Sequence, residues 1–278
     1  MVTQLVVWLN GLANPVAEVV IAPIAWMPGW LSITLIGVVT GILMLVVFKY
    51  TSNQSAIKHT RNRLKADLLA LSLFQDDLRV GLRAQGRLLA GAARLLGLSL
   101  VPMLIMALPM GLLLGQLGLW YQARPLRTGE ESVVTVRLAA DAPDSLRAIE
   151  LVPSTAVEAV IGPVRVPSKN MVCWTIRPVE PGRHPLEFST GRKVIHKELA
   201  VGENMQPTSL QRPAWNWTDV LVHPRERPFT HDSPIQSIEV AYPTRPSWTS
   251  GTNSWMIYWF CVSLLAAFAA KPLLNVHL

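Results

Sequence analysis

An uncharged apolar stretch from Leu31 to Phe48 constrains this chain more than any other feature of its sequence. A helix over these residues, at 1.5 Å per residue, is about 27 Å long, close to the hydrocarbon thickness of a bilayer. Trp30 and Tyr50 flank the stretch, and aromatic residues of this kind are enriched at membrane interfaces. The stretch therefore predicts a transmembrane helix over residues 30–49.

Two further apolar runs, Leu95 to Tyr121 and Trp255 to Ala270, predict a second span over residues 95–121 and a third over 253–270. The second run contains two prolines, which transmembrane helices tolerate better than soluble ones. The composition agrees, because only 15% of the residues are charged, whereas soluble domains carry about 25%. The sequence predicts a multi-pass membrane protein.

The orientation follows from the segment between the first two spans, residues 50–94. In this segment the basic residues outnumber the acidic ones. The acidic residues are Asp67, Asp76 and Asp77. The basic residues are Lys58, Arg61, Arg63, Lys65, Arg79, Arg83, Arg87 and Arg94. An excess of this kind in a short loop marks the cytoplasmic side. We therefore expect the N-terminus and residues 122–252 outside, and the tail 271–278 inside, as in a bacterial inner membrane. The same rule accounts for the net charge of +7 without nucleic acid as a partner.

Residues 1–29 are apolar but contain Asn10, Asn14 and Glu18, spaced four apart. A helix would place these three side chains in one polar stripe. The pattern favours a segment lying in the outer membrane interface. The alternative is a fourth span, in which the carboxylate of Glu18 would be costly.

The cytoplasmic segment 50–94 has helical periodicity, with leucine-rich positions at intervals of three, four and seven. A second helix, starting near Leu78, runs into the second span, so the segment predicts an antiparallel helical hairpin. Two interpretations stay open. The hairpin is either a connector whose cations contact lipid headgroups, or a docking arm for a cytoplasmic partner. The residues concerned are Lys58, Arg61, Arg63, Lys65, Arg79, Arg83 and Arg87.

Beyond Tyr121, helical periodicity gives way to short alternating runs separated by turn residues. Residues 122–202 therefore predict an exported β-sandwich of immunoglobulin-like architecture. Residues 203–252 are rich in Pro and Trp and predict a linker with one strand, at 237–243. Cys173 and Cys261 lie in different regions and are not expected to meet.

No catalytic or metal-binding motif is present. The chain lacks a P-loop, an HExxH motif and a nucleophile elbow. His231, Asp232 and Ser233 are adjacent, which is typical of a polar loop rather than of a triad assembled from distant residues. We expect no enzyme activity, no cofactor and no metal.

The order of these segments resembles the minimal core of the YidC/Oxa/Alb insertase superfamily, which includes small archaeal YidC-like proteins and an insertase subunit of the ER membrane complex. The likeness is carried by FKYTSNQSAIKHTRNRLKADLLALSLFQDDLRVGL (48–82) and RLLGLSLVPMLIMALPMGLLL (94–114). It covers roughly residues 1–121 and the third span, not the β-domain. The resemblance implies helix insertion without a nucleotide, through a hydrophilic groove, with the hairpin receiving the client.

Many members of that superfamily place an arginine in the groove, whereas the apolar runs Leu31–Phe48, Leu95–Tyr121 and Trp255–Ala270 of this chain carry no charge. The polar candidates for lining a groove in the first two spans are Ser32, Thr34, Thr40, Ser99 and Gln116. Serine and threonine commonly bond to their own helix backbone instead. The resemblance makes nascent membrane proteins the expected partners. The alternative is a structural or binding subunit of an envelope complex, which binds its partner through the β-domain.

Overall fold

The computed structural model describes residues 1–73, 78–139, 143–191, 194–245 and 254–274. The chain forms two compact units. The first, here called the β unit, comprises Met1–Ser32 and Gly111–Ile257; the second, the helical unit, comprises Ile33–Met110 and Tyr258–Leu278. The helices are α1 (Val2–Ile21), α2 (Gly29–Thr51), α3 (Gln54–Leu73), α4 (Leu78–Tyr121), α5 (Pro143–Ala148), α6 (Trp217–Val222) and α7 (Ser254–Leu274), with 3-10 turns at Ala22–Ile24 and Pro167–Lys169.

Four helical segments are long and apolar enough to cross a membrane: Val2–Ile24, Gly29–Thr51, Gln85–Tyr121 and Ser254–Leu274. By length and composition of these helices, the chain is a membrane protein. The prediction that the three apolar runs form helices is confirmed. The first of the four is α1, which continues as one helix through the polar positions of the N-terminal segment.

Within the helical unit, α2 and α7 pack closely because α2 presents glycine to α7. A Cβ atom on Gly41 would lie 2.1 Å from the carbonyl oxygen of Ser263. The hydroxyl oxygens of Thr34 and Tyr258 lie 2.8 Å apart, which adds a polar link between the same two helices.

The helices α3 and α4 of the same unit form a hairpin. Arg87 of α4 pairs with Asp67 of α3, with Nε 2.9 Å from Oδ1. Gly91 of α4 leaves room for Leu64 of α3, whose Cδ2 would be 2.6 Å from a Cβ at that glycine. Residues 74–77, which connect the two helices, lie outside the described residues.

The strands of the β unit are antiparallel and form two sheets. They are β1 (Ser132–Leu138), β2 (Glu150–Leu151), β3 (Val157–Val166), β4 (Met171–Pro178), β5 (Gly182–Ser189), β6 (Val194–Val201), β7 (Gln211–Arg212) and β8 (Ile235–Val240). One sheet has the order β3-β4-β1-β8-β7 and the other β2-β5-β6. The rings of Trp174 and Phe188, one from each sheet, have centroids 5.4 Å apart within a single buried core. The two sheets therefore share one core, as in a sandwich.

Residues 203–252 were expected as a linker with one strand, but the described part, 203–245, contributes more regular structure than that. The strand β8 pairs with β1, β7 pairs with β8, and α6 lies between them in sequence. Thr208 and Phe229 are buried. These residues are part of the sandwich because they extend its larger sheet.

Candidate functional site

Two of the five polar residues proposed to line a groove belong to the β unit, where they join helices. The hydroxyl of Ser32 donates to the Gly29 carbonyl at 3.0 Å and lies 2.8 Å from the hydroxyl of Tyr121. The amide of Gln116 donates to Asn14 Oδ1 at 2.6 Å. Both side chains are buried, so each is used in packing within this unit.

The other three groove candidates, Thr34, Thr40 and Ser99, belong to the helical unit. Thr34 bonds to Tyr258 of α7, and Thr40 is buried in α2. The hydroxyl of Ser99 donates to the carbonyl of Leu95, one turn earlier in its own helix, at 2.9 Å. A contact with α7 and a bond within its own helix therefore account for the positions of Thr34 and Ser99.

The cationic residues of the hairpin form an exposed surface. The side chains of Lys58, Arg61, Arg63, Lys65 and Arg87 are all exposed, while those of Arg79 and Arg83 lie outside the described residues. Arg63, Arg87 and Arg94 line a cleft of about 230 Å³ between α3 and α4, together with Thr60, Leu64, Asp67, Ala90 and Gly91. The cleft presents three guanidinium groups and one carboxylate, which suits an anionic group or the carboxyl-rich flank of a peptide.

The β unit contains a charged cavity that the sequence analysis did not find. It has a volume of about 430 Å³ and is lined by Arg183, His184, Pro185, His196, Lys197, Glu198, Arg212, Glu226 and Arg227. The cations exceed the two carboxylates. The signal in the sequence is the alternation of β6, which places Lys197 at the same inward-facing register as the buried Leu199 and Val201.

At the cavity wall, the Lys197 side chain is 0% exposed. Its Nζ donates to Glu226 Oε1 at 2.6 Å, to the Ser209 carbonyl at 2.7 Å and to the Glu198 carbonyl at 3.0 Å. Burial lowers the pKa of Lys197, and the negative charge of Glu226 opposes that shift. Three acceptors satisfy the three donors of an ammonium group, so Lys197 ties the chain around Ser209 and Glu226 to β6.

The guanidinium of Arg212 is similarly engaged. It lies 4.4 Å from the ring centroid of Phe229 and donates to the carbonyls of His196 at 2.5 Å and Arg227 at 3.1 Å. Burial lowers the pKa of Arg212. Of the cavity's cations, Arg227 is exposed and available at the rim.

The polar stripe of α1 faces the β unit's own chain. Asn10 Nδ2 donates to the Val220 carbonyl at 2.7 Å and Asn14 Nδ2 to the Pro224 carbonyl at 2.9 Å. The carboxylate of Glu18 lies 3.8 Å from Arg225 and 4.0 Å from Arg183. Spacing alone predicted the stripe, but the partners of Asn10 and Asn14 lie 210 residues away in sequence.

Among the described residues, no group of three or more His, Cys, Asp or Glu side chains is placed to hold a metal ion. His231 and Asp232 lie 3.3 Å apart on an exposed loop, and Cys173 and Cys261 are free thiols. Comparisons of this chain with models of known protein families, with curated proteins and with solved structures find no match.

Proposed function

We propose that this protein assists the insertion or assembly of membrane proteins in a YidC-like manner, and that the helical unit carries this activity. The observation that supports the proposal is the hairpin of that unit. Leu68, Leu69, Leu82 and Leu89 are exposed on it, beside the exposed cations. Exposed apolar clusters rimmed by charge are typical of protein-binding surfaces.

The hairpin leads directly into the second predicted span, because α4 continues as one helix from Leu78 to Tyr121. A client bound on the hairpin would therefore lie next to that span. The part from Leu78 to the predicted start of the span at Leu95 extends about 25 Å. The leucines would hold an apolar client segment transiently, and the cations would bind its acidic flank or the lipid headgroups. The proposed activity requires no nucleotide, because the transfer of an apolar helix into the bilayer is energetically favourable.

In the same proposal, the hairpin and the tail 271–278 face the cytoplasm, and the sandwich faces the outside of a bacterial inner membrane. The support is the excess of Lys and Arg in residues 50–94, which follows the positive-inside rule. The sandwich is immunoglobulin-like in this proposal, on the strength of its two antiparallel sheets.

The proposal is tested by photocrosslinking in cells that are making new membrane proteins. A photoreactive amino acid is placed at Leu68 of the hairpin and at Val39 of α2, both exposed. The matched control is Ile161 of β3, an exposed apolar residue of the sandwich. We expect short-lived nascent chains to be captured at Leu68 and Val39 but not at Ile161. Capture of one stable protein, or of none, at Leu68 and Val39 contradicts the proposal.

The second candidate function is a structural or binding subunit of an envelope complex. The charged cavity favours it, because a net cationic cavity on a sandwich suits an anionic group of a partner. A photoreactive amino acid at His184, which lines the cavity, would then capture one stable envelope protein. The variant Arg227→Glu should abolish that capture and leave the crosslinks from Leu68 unchanged.

A further inference from the structure

The short helix α6 of the sandwich lies against the transmembrane part of α4. A Cβ atom on Gly111 would be 3.0 Å from Leu221 Cδ2, and one on Gly115 would be 2.3 Å from the Leu221 carbonyl oxygen. Glycine at both positions, one turn apart on α4, lets the backbone of α6 approach the helix. The contact is therefore between backbones as well as between side chains.

The position of this contact along α4 gives its depth. From Gly111 to the end of α4 at Tyr121 is about 15 Å, and from Gly115 about 9 Å. The helix segment that is apolar enough to cross a membrane runs to Tyr121. With the span placed over residues 95–121, as the sequence predicts, and a hydrocarbon core ~30 Å thick, α6 reaches the level of the outer leaflet rather than staying above it.

Backbone carbonyl groups near the end of α6 accept hydrogen bonds from the protein itself, as backbone buried in a membrane requires. A helix leaves its last carbonyl groups without partners, and in lipid no water satisfies them. The side chains of Asn10 and Asn14 donate to the carbonyls of Val220 and Pro224, at 2.7 and 2.9 Å. Two asparagines of α1 thus supply donors to carbonyl groups at the end of α6 and just beyond it.

Exposed aromatic and apolar side chains lie on α6 and just before it. Trp215 is 37% exposed, Trp217 48% and Val222 57%. The helix α1, which α6 contacts through Asn10, also exposes apolar side chains, including Trp8 and Leu12. Exposed apolar side chains therefore occur both on a helix long enough to span the membrane and on α6, which contacts it.

We propose that α6 and the residues around it form a wedge inserted into the outer leaflet, where Trp215, Trp217 and Val222 contact lipid. The partner of this surface is the bilayer itself. Tryptophan suits the boundary between headgroups and acyl chains, because its ring is apolar and its indole N–H is a donor. The Asn216 side chain caps the helix by accepting a hydrogen bond from the Thr218 N–H, and Asp219 in the first turn complements the positive end of the helix.

The test measures depth with spin labels on the full-length protein in liposomes that contain no other protein. Nitroxides are attached through Trp217→Cys and, separately, Val222→Cys, in a background with Cys173→Ser and Cys261→Ser. The lipid control is Leu104→Cys on α4, and the water control is Val179→Cys after β4; both native residues are exposed. The accessibility of each label to oxygen, which partitions into lipid, is compared with that to a water-soluble nickel chelate.

We expect the labels at positions 217 and 222 to resemble Leu104→Cys, with oxygen access several-fold above that of Val179→Cys. Nickel access equal to that of Val179→Cys at both positions would overturn the proposal, because the wedge would then lie in water. Shielding from both reagents would also overturn it, since protein would then cover the surface. The Val222→Cys variant keeps both tryptophans, so a folding defect of Trp217→Cys leaves the test intact. The outcome does not depend on insertase activity.

Discussion

Lys197 occupies an inward-facing position of a strand, where an apolar residue is usual. Its burial is tolerated because Glu226, itself largely buried, lies 2.6 Å away and two carbonyl groups complete the ammonium's hydrogen bonds. Removing one partner of a buried pair is far more costly than replacing both by apolar groups, because the remaining charge stays without compensation.

We therefore expect Glu226→Gln to lower the free energy of unfolding of the sandwich by about 3–5 kcal/mol. The double variant Lys197→Met with Glu226→Leu should be much closer to the wild type. Unfolding in urea is followed by the labelling rate of the Cys173 thiol in a Cys261→Ser background. The control is Glu187→Gln, which removes an exposed carboxylate beside His196. Equal stability of Glu226→Gln and Glu187→Gln would contradict this account.

A second pair, Arg124 and Glu130, stabilises the segment that precedes β1. The Arg124 guanidinium donates two hydrogen bonds of 2.8 Å each to the Glu130 carboxylate. The hydrogen bond from Arg124 is the main reason that the pKa of Glu130 lies below its usual value of 4.5; burial opposes the shift. A carboxyl group whose folded pKa is lowered stabilises the fold above the unfolded pKa. That contribution is lost as the pH falls through the folded pKa.

Glu130→Gln should accordingly cost about 1–2 kcal/mol of unfolding free energy at pH 7. The difference from the wild type should shrink as the pH falls below the usual glutamate pKa, because protonation then removes the same charge. Urea titrations of both proteins across that range measure it. A difference that stays constant with pH would show that shape rather than charge matters at this position.

At the scale of elements, helix contacts depend on glycine. The approach of α2 to α7 at Gly41 involves the backbone of Ser263, which cannot rotate away as a side chain can. By contrast, a Cβ at Gly97 of α4 would meet nothing within 4 Å. The two glycines lie in the same unit but differ in what a larger side chain would displace.

Gly41→Leu should destabilise the helical unit by about 1–3 kcal/mol through overpacking, whereas Gly97→Leu should leave its stability unchanged. Size-exclusion chromatography in detergent after heating measures the temperature at which each variant aggregates. Only Gly41→Leu should aggregate at a lower temperature. If both variants behave alike, the contact between α2 and α7 does not limit stability.

At the scale of the whole molecule, the course of α1 decides the number of spans. Asn14 bonds to Gln116 of α4 and to Pro224, and Asn10 bonds to Val220, whose neighbour Leu221 contacts Gly111 and Gly115. These contacts make α1 and α4 run parallel to each other. The N-terminal end of α1 is therefore expected on the same side as the N-terminal end of the α4 span. This favours the fourth span over the interfacial segment.

A thiol at Val2→Cys, with Cys173→Ser and Cys261→Ser, should then be labelled from the cytoplasmic side only. Lys65→Cys on the hairpin and Val179→Cys after β4 are the controls for the two sides. A membrane-impermeant maleimide applied to intact cells and to inverted vesicles measures the accessibility. Labelling of Val2→Cys in intact cells would return α1 to the outer interface.

The helices and the antiparallel strands could be predicted because they follow from local patterns. A long uncharged run forms a helix in lipid, where every backbone group must bond within its own segment. Alternation of apolar and polar residues marks a strand with one buried face, as the burial of β1 shows. The stripe of Asn10, Asn14 and Glu18 was also visible, since it needs only the helical period.

The partners of these residues were decided by tertiary structure. The spacing of Asn10 and Asn14 suggested contact with the membrane interface, whereas their amides bond to carbonyls near α6, 210 residues later. The buried pair of Lys197 and Glu226, and the packing of Leu221 on Gly111, likewise join distant segments. Local composition determines whether a segment can leave water. Only the folded chain determines which polar group compensates each buried donor, acceptor and charge, because that compensation depends on distances in space.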